Sequence, residues 1–272
     1  TKTFSSQTRG NLANLGIFAN IGYRLNKNQL LSFHGRNDDH KETGGNKTFK
    51  ANFTQILGNL KLGATHSTGL KNPSLYELYG NIGQKDIKAE KSETNEIFTE
   101  YNFSKNIRFN STAYRTRMND RIKINSSWNA YENKIPDTTQ EGLESEITFL
   151  GTDQSISIIS HFAKSRTATN GPNSRRPDLS YGVDYSKKIN SQKYGPFDFI
   201  VSHRFIGDHI DWTGSKNEFV KSVDLVDMSI RKSWYGNQFS LNFTNLLNER
   251  YEKPATYSQD GRMLSFGFRK AY

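Results

Sequence analysis

The chain contains no cysteine among its 272 residues. That excludes a disulfide framework and a thiolate metal centre. Apolar residues are also scarce, at 33% of the chain, with a mean hydropathy of -0.78. No window approaches the ~18 consecutive apolar residues that a spanning helix requires. The exclusion stops at helices. A transmembrane β-strand alternates between lipid and lumen, so each segment needs only about half its residues apolar. Also missing are a nucleophile elbow, an HExxH helix motif and a phosphate loop, so no catalytic constellation and no cofactor site is expected.

Charge is unbalanced, with 37 Lys and Arg against 27 Asp and Glu and a net charge of +10. Basic residues are scattered over turns, loops and strand ends. Lys187-Lys188, the best run, has neither a helix nor an aromatic platform beside it, so nucleic acid is not expected as a partner. An anionic outer leaflet or an anionic ligand suits the charge better. The chain begins at Thr1 with neither Met nor a signal-peptide pattern, and we read it as a fragment.

What is present is alternation. At the C-terminus Leu264, Phe266, Phe268, Lys270 and Tyr272 share one parity, while Ser265, Gly267, Arg269 and Ala271 share the other. Successive strand residues point to opposite faces, so this segment has an apolar face and a small or polar one. A chain ending on an aromatic in this way fits the closing strand of an outer-membrane barrel, its apolar face against lipid. Lys270 falls on the apolar parity, but so near the end it snorkels to the interface.

The same rhythm recurs upstream, with strands expected over 11–24, 28–36, 48–57, 60–67, 93–103, 107–122, 139–149, 154–164, 177–188, 197–205, 219–233, 238–245 and 262–272. That makes about thirteen strands. Tight turns such as Gly58-Asn59 alternate strictly with long polar connections over 37–47, 68–92, 123–138, 165–176, 206–218 and 246–261. Outer-membrane barrels keep short turns at the periplasmic side and long loops outside. Tyr23, Tyr101, Phe103, Phe149, Tyr194, Trp234, Tyr235 and Tyr272 all fall at or beside the short-turn ends, where an aromatic belt meets lipid headgroups. Among helices, only Pro73–Tyr79 offers one or two turns, with Leu75 and Leu78 sharing a face.

Two stretches resemble signatures of the TonB-dependent outer-membrane receptors. The first is Gly69-Leu70-Lys71-Asn72-Pro73-Ser74-Leu75-Tyr76-Glu77-Leu78-Tyr79-Gly80, followed by Ile87-Lys88-Ala89-Glu90-Lys91-Ser92 and Glu96. The second is Asn245-Leu246-Leu247-Asn248-Glu249-Arg250-Tyr251-Glu252, followed by Gly261-Arg262 and the aromatic terminus. Ala89 stands where the family usually has proline, and Gln259-Asp260 precedes Gly261 where Pro-Gly-Arg is common. Tyr114–Ile122, Glu141–Ser145 and Arg175-Arg176 bring the layout nearest to the cobalamin receptors.

The resemblance implies an all-β fold, an antiparallel transmembrane β-barrel of about 22 strands of which residues 1–272 form the C-terminal portion. An N-terminal plug, a TonB-contacting segment and about nine strands then lie outside this chain, and the fragment alone transports nothing. It implies residence in the bacterial outer membrane and import of a scarce bulky nutrient, cobalamin or a ferric siderophore. The implied partners are the TonB energy-coupling complex, outer-membrane lipid and, through Tyr272, the barrel-assembly machinery. A passive porin of about 14 strands and a soluble β-rich binding protein are the rival readings.

Rigid rings offer contact area at low entropy cost, so Tyr76, Tyr79, Trp128, Tyr131, Trp212 and Tyr257 in the long loops are the candidate ligand contacts. Glu77 and Pro73, and in the main Tyr79 too, read as structural, folding a loop back over the barrel mouth. Asp38-Asp39-His40 and the group His209, Asp211 and Trp212 are expected to be solvated loop clusters and not metal sites.

Overall fold

The computed structural model describes residues 13–134, 138–167 and 171–270. Thirteen strands form one antiparallel sheet in the order β1 (Asn14–Asn26), β2 (Gln29–His40), β3 (Gly44–Leu57), β4 (Leu60–Lys71), β5 (Glu90–Ser104), β6 (Ile107–Asn119), β9 (Thr138–Leu150), β10 (Gln154–Thr167), β11 (Leu179–Ser191), β12 (Gly195–Ile206), β15 (Val223–Trp234), β16 (Asn237–Thr244) and β17 (Met263–Lys270). Neighbours in the sheet are neighbours in sequence, apart from two inserted hairpins. These are β7 (Arg121–Ile124) with β8 (Tyr131–Lys134), and β13 (His209–Trp212) with β14 (Asn217–Val220). Among the described residues a single short helix, α1 (Leu75–Tyr79), follows β4.

Contacts divide the chain into two units. The first comprises Thr1–Phe98, Ala113–Glu141 and Arg166–Gly171, and the second Thr99–Thr112, Gly142–Ser165 and Pro172–Tyr272.

In the first unit the register carries one face from strand to strand. Ile21 opposes Phe33, Phe33 opposes Ala51, and Tyr23, Leu31, Phe53 and Ala64 continue the same face. The opposite face carries His34, Lys50, Asn52, Thr54 and Thr65. Here His34 bonds Asn20 and Thr65 donates to Asn52.

In the second unit the pattern repeats. Phe268, Phe239 and Lys232 are successive cross-strand partners, as are Phe266, Leu241 and Ile230, and Val201 with Tyr185 and Ile156. The other face is polar, with Arg204 bonded to Asp184, Ser229 to Asn242, and Ser157 to Glu146. Leu15, Ile17, Ile21, Phe33, Leu264, Phe266 and Phe268 are all exposed. Apolar surface this continuous is not stable against water, at about 25 cal/mol per Å². It is the lipid-facing surface of a membrane barrel wall, and the polar face is the lumenal one.

Buried apolar side chains lie mostly outside this wall. Leu78, Ile87, Ala89 and Ile122 are buried in the first unit, and Val220, Val223 and Ala255 in the second. All come from the connections or from strand ends beside them.

The expected thirteen sheet strands are present, with shifted boundaries. The predicted polar loop over 37–47 is strand on both sides of a tight turn at 41–43 instead. β2 runs to His40 and β3 begins at Gly44, because Asn14 and Arg36 both bond Asp38 while His40 Nδ1 accepts the amides of Glu42 and Thr43. The strand expected over 107–122 breaks at Asp120, whose φ of 54° turns the chain into the β7–β8 hairpin. Likewise 219–233 is divided, Phe219 and Val220 belonging to β14. At the tight end of β15–β16, Tyr235 and Gly236 both have positive φ, 47° and 73°, as a two-residue hairpin turn with right-handed twist demands. Tyr272 lies outside the described residues.

Candidate ligand-recognition surface

The long connections are folded structures and not loose loops. In the first unit Ser74 caps α1. Its side chain accepts the Glu77 amide at 3.3 Å, while Glu77 Oε2 accepts the Ser74 amide at 2.7 Å. This reciprocal arrangement satisfies helix-terminal donors that a five-residue helix leaves unpaired. Leu78, only 1% exposed, is the anchor beneath the helix.

Two polar residues tie the segments flanking that helix to one another. Asn133 accepts the Lys88 amide at 2.8 Å and donates to the carbonyls of Lys88 and Asp120. Glu90 Oε1 accepts from Lys71 Nζ at 3.0 Å and from the Ile122 amide at 2.9 Å. Tyr131 donates its amide to the Ile82 carbonyl. Its ring meets Tyr76 edge-on, with centroids 6.1 Å apart. Burial, with Tyr76 and Glu77 alongside, raises the Tyr131 phenol above its ordinary pKa.

Trp128 sits in the β7–β8 turn at φ 58°, its amide held by Asn125, and is 59% exposed. Tyr79 points elsewhere. A hydrogen bond to Glu42, then burial, raises its phenol pKa, and Lys85 Nζ lies 5.5 Å from its ring centroid. Tyr76, Tyr131 and Trp128 thus belong to one surface-forming assembly, whereas Tyr79 secures the assembly to the β2–β3 turn.

The second unit has its own assembly, centred on Asp211, whose residue surface is 1% exposed. Arg175 Nε donates to Oδ1 at 2.6 Å, Ser174 Oγ to Oδ1 at 2.9 Å and the Ala255 amide to Oδ2 at 2.9 Å. Burial opposes ionisation here, but the bonds from Arg175, Ala255 and Ser174 outweigh it and hold the carboxyl below its ordinary pKa. Three connections therefore meet at one carboxylate.

Asn245 does similar work for the last of them. It accepts the Glu249 amide and donates to the carbonyls of Glu249 and Asp260, from a backbone with φ 50°. Trp212 and Tyr257, 45% and 66% exposed, project from the segments that Asp211 joins.

The expectation that Asp38-Asp39-His40 and the Asp211 group are solvated is overturned for Asp38, His40 and Asp211, whereas Asp39 and Trp212 are exposed. Asp38, His40 and Asp211 are buried and spend their acceptor atoms on the chain itself. His209 bonds the Gly207 carbonyl. Among the described residues no group of three or more His, Asp or Glu is placed to hold a metal ion. Sequence reasoning missed Arg175, Ser174, Glu90, Asn133 and Asn245 as organisers. Only the Ser74-x-x-Glu77 spacing was a readable signal, as a capping box.

A two-faced antiparallel wall carrying folded caps on its long connections defines a transmembrane β-barrel. Comparison with known proteins agrees, since residues 2–248 match the family described as "TonB dependent receptor-like, beta-barrel". The chain belongs to the TonB-dependent receptor β-barrel family, and is an integral protein of the bacterial outer membrane.

Among curated relatives, the vitamin B12 transporter BtuB of Vibrio cholerae serotype O1 is 24% identical over 238 residues, covering 84% of this chain and 38% of the relative. Among solved structures, the siderophore receptor PirA of Acinetobacter baumannii superimposes with a TM-score of 0.78 at 16% identity, covering 93% of this chain and 45% of that one. The ferric enterobactin receptor PfeA of Pseudomonas aeruginosa gives 0.78 at 19% identity, covering 93% and 44%. The chain thus spans less than half the length of these relatives.

Proposed function

We propose that this chain is the C-terminal part of a receptor that imports a scarce bulky nutrient, cobalamin or a ferric siderophore, across the outer membrane. The observation that carries the reading is the pair of folded caps, each exposing rings on a rigid base. A preorganised aromatic surface of this kind suits capture of a large, partly apolar ligand without much loss of entropy. A passive pore has no need of it. The receptor chemistry is recognition and conduction, with no bond made or broken by the chain.

The remaining strands and a plug are assigned to sequence outside residues 1–272. Two observations support this. The chain covers 38% of the BtuB relative, and among the described residues β1 is paired along one side only in the sheet order. An unpaired edge in lipid leaves amides and carbonyls that cost several kcal/mol each, so further strands belong beside it. Energy then enters through the TonB complex acting on the plug. The route to the outer membrane runs through the barrel-assembly machinery, with Tyr272 as its recognition residue.

The test is equilibrium binding of cyanocobalamin and of a panel of ferric siderophores to the full-length receptor in detergent, paired with uptake in cells with and without TonB. Tight binding of one ligand with TonB-dependent uptake is expected. Uptake of small solutes that persists without TonB, with no saturable binding, would leave the porin reading instead.

A further inference from the structure

The lipid-facing side of the first unit has a groove of about 870 Å³. Its walls are large apolar side chains, Ile21, Leu31, Phe33, Phe53 and Ile97 among them, over a floor that includes Ala51 and Ala64. At one end it turns polar, where His66, Asn95 and Arg115 line it. His66 Nδ1 and Asn95 Oδ1 are 2.8 Å apart, and Glu93 lies 3.9 Å from the same imidazole nitrogen. Arg115 shares this face, because Thr94 and Thr116 bond one another on the opposite face. Among the described residues, Arg115 has no hydrogen bond and no ion pair.

A free guanidinium on a lipid-facing surface needs an anion, and its depth says which kind. Ile107 begins β6 at the short-turn end. Eight residues further, at ~3.3 Å per residue and a tilt of ~40°, Arg115 stands roughly 20 Å above it in a band about 25 Å tall. That is the level of the outer headgroups. Lys47 and Lys91 share the face and stand still nearer its outer end, and neither has a partner among the described residues. Glu93 is the acidic neighbour on this face, where His66 faces it, and Glu96, which also lines the groove, has the lumenal parity of Thr94. The groove below Arg115 is apolar down to Tyr23 and Leu31. A phosphate above and an acyl chain below fit both halves.

We propose that this groove binds a phosphate-bearing lipid of the outer leaflet, seating an acyl chain between Phe33 and Ile97 and its phosphate against Arg115. The geometry distinguishes this from ordinary annular lipid, which needs neither a groove nor a free guanidinium. Outer-leaflet placement selects the glucosamine-based lipid of that leaflet over glycerophospholipid, and the probe is bis-phosphorylated lipid A. The proposal rests on the outer-membrane location and is independent of which nutrient is imported.

Native mass spectrometry of the full-length receptor in mixed micelles tests it. One retained lipid A per receptor is expected, with retention falling about tenfold in Arg115→Gln. Ala64→Phe, which fills the groove with an apolar ring compatible with lipid, should lose it as well. Lys105→Gln, in a tight turn at the other side of the membrane, should match wild type. Both test variants keep or reduce polarity on the lipid face, so folding is retained, and heat-modifiable mobility on gels verifies it. Equal retention by wild type and Arg115→Gln would overturn the site. So would equal retention of phosphatidylglycerol, or dimers in place of a lipid adduct.

Discussion

Arg175 Nε lies 2.6 Å from Asp211 Oδ1, although the two residues come from different connections and Arg175 is itself largely exposed. Asp211 accepts from Ser174 and the Ala255 amide at the same time. One buried carboxylate thus holds three outer segments of the second unit, and the ion pair shields only one of its sides.

Removing the arginine leaves that carboxylate with two neutral donors. For Arg175→Ala we expect a loss of about 1–3 kcal/mol in local stability of the cap, with the wall unaffected. Hydrogen exchange should quicken in residues 209–212 and 253–257 and stay unchanged in β11 and β12. The carboxyl is held below its unfolded-state value of 3.8. A depressed folded pKa contributes stability that is present above that unfolded value and is lost as pH falls through the folded one. Cap protection should therefore be flat from neutral pH down to about 4 and fall only below it, and Asp211→Asn should abolish that acid step. An acid step surviving in Asp211→Asn would assign it to another group.

Much of the wall was legible because lipid enforces alternation. Phe266 and Phe268 must share one face, and Ser265 and Gly267 the other, whatever the rest of the chain does. The caps were opaque for the opposite reason. Their elements are four or five residues long, with too few positions for a period to emerge. They are held by single polar residues whose partners lie far away in sequence, as Asn133 reaches Lys88 and Asp211 reaches Ala255. Polarity at Asp38 and His40 reads as solvent exposure, yet both are buried by bonds that only the fold supplies. Aromatic candidates were visible singly, but that Tyr76 meets Tyr131 while Tyr79 turns to Glu42 required the structure.

The facing assignment has a direct check at the closing strand. Phe268 is exposed on the lipid face and opposes Phe239, whereas Ser240 stands on the lumenal face opposite Gly267. Phe268→Asp should reduce the folded receptor in outer-membrane fractions several-fold, because a carboxylate there must leave water for hydrocarbon. Ser240→Asp, one residue from Phe239, should leave membrane levels close to wild type. Normal levels of Phe268→Asp would reverse the assignment.

Gly63 sits beneath the Phe98 ring on the lumenal face, and a Cβ there would collide with that ring and stand 2.6 Å from the Phe53 carbonyl oxygen. The carbonyl is part of the ladder and cannot move aside. Gly63→Ala is expected to destabilise the wall by about 1–3 kcal/mol, read as a lower temperature for loss of the heat-resistant gel band. Adding Phe98→Ala should recover only part of it, since the carbonyl clash remains. Full recovery would place the whole strain in the ring.

Recognition by the first unit's cap is tested at Tyr131. Its ring packs edge-on against Tyr76, and burial raises the pKa of its phenol. If the surface binds ligand through ring area, Tyr131→Phe should hold affinity within about twofold, while Tyr131→Ala weakens it by about 5–10-fold. Trp128→Ala, at the exposed tip of the same hairpin, should weaken it by a similar factor without loosening the cap. Lys88→Ala is the control, because Asn133 grips its backbone and not its side chain. Binding by titration calorimetry on the full-length receptor decides between these outcomes. Undiminished affinity in both alanine variants would move the recognition surface away from this cap, toward Trp212 and Tyr257 in the second unit.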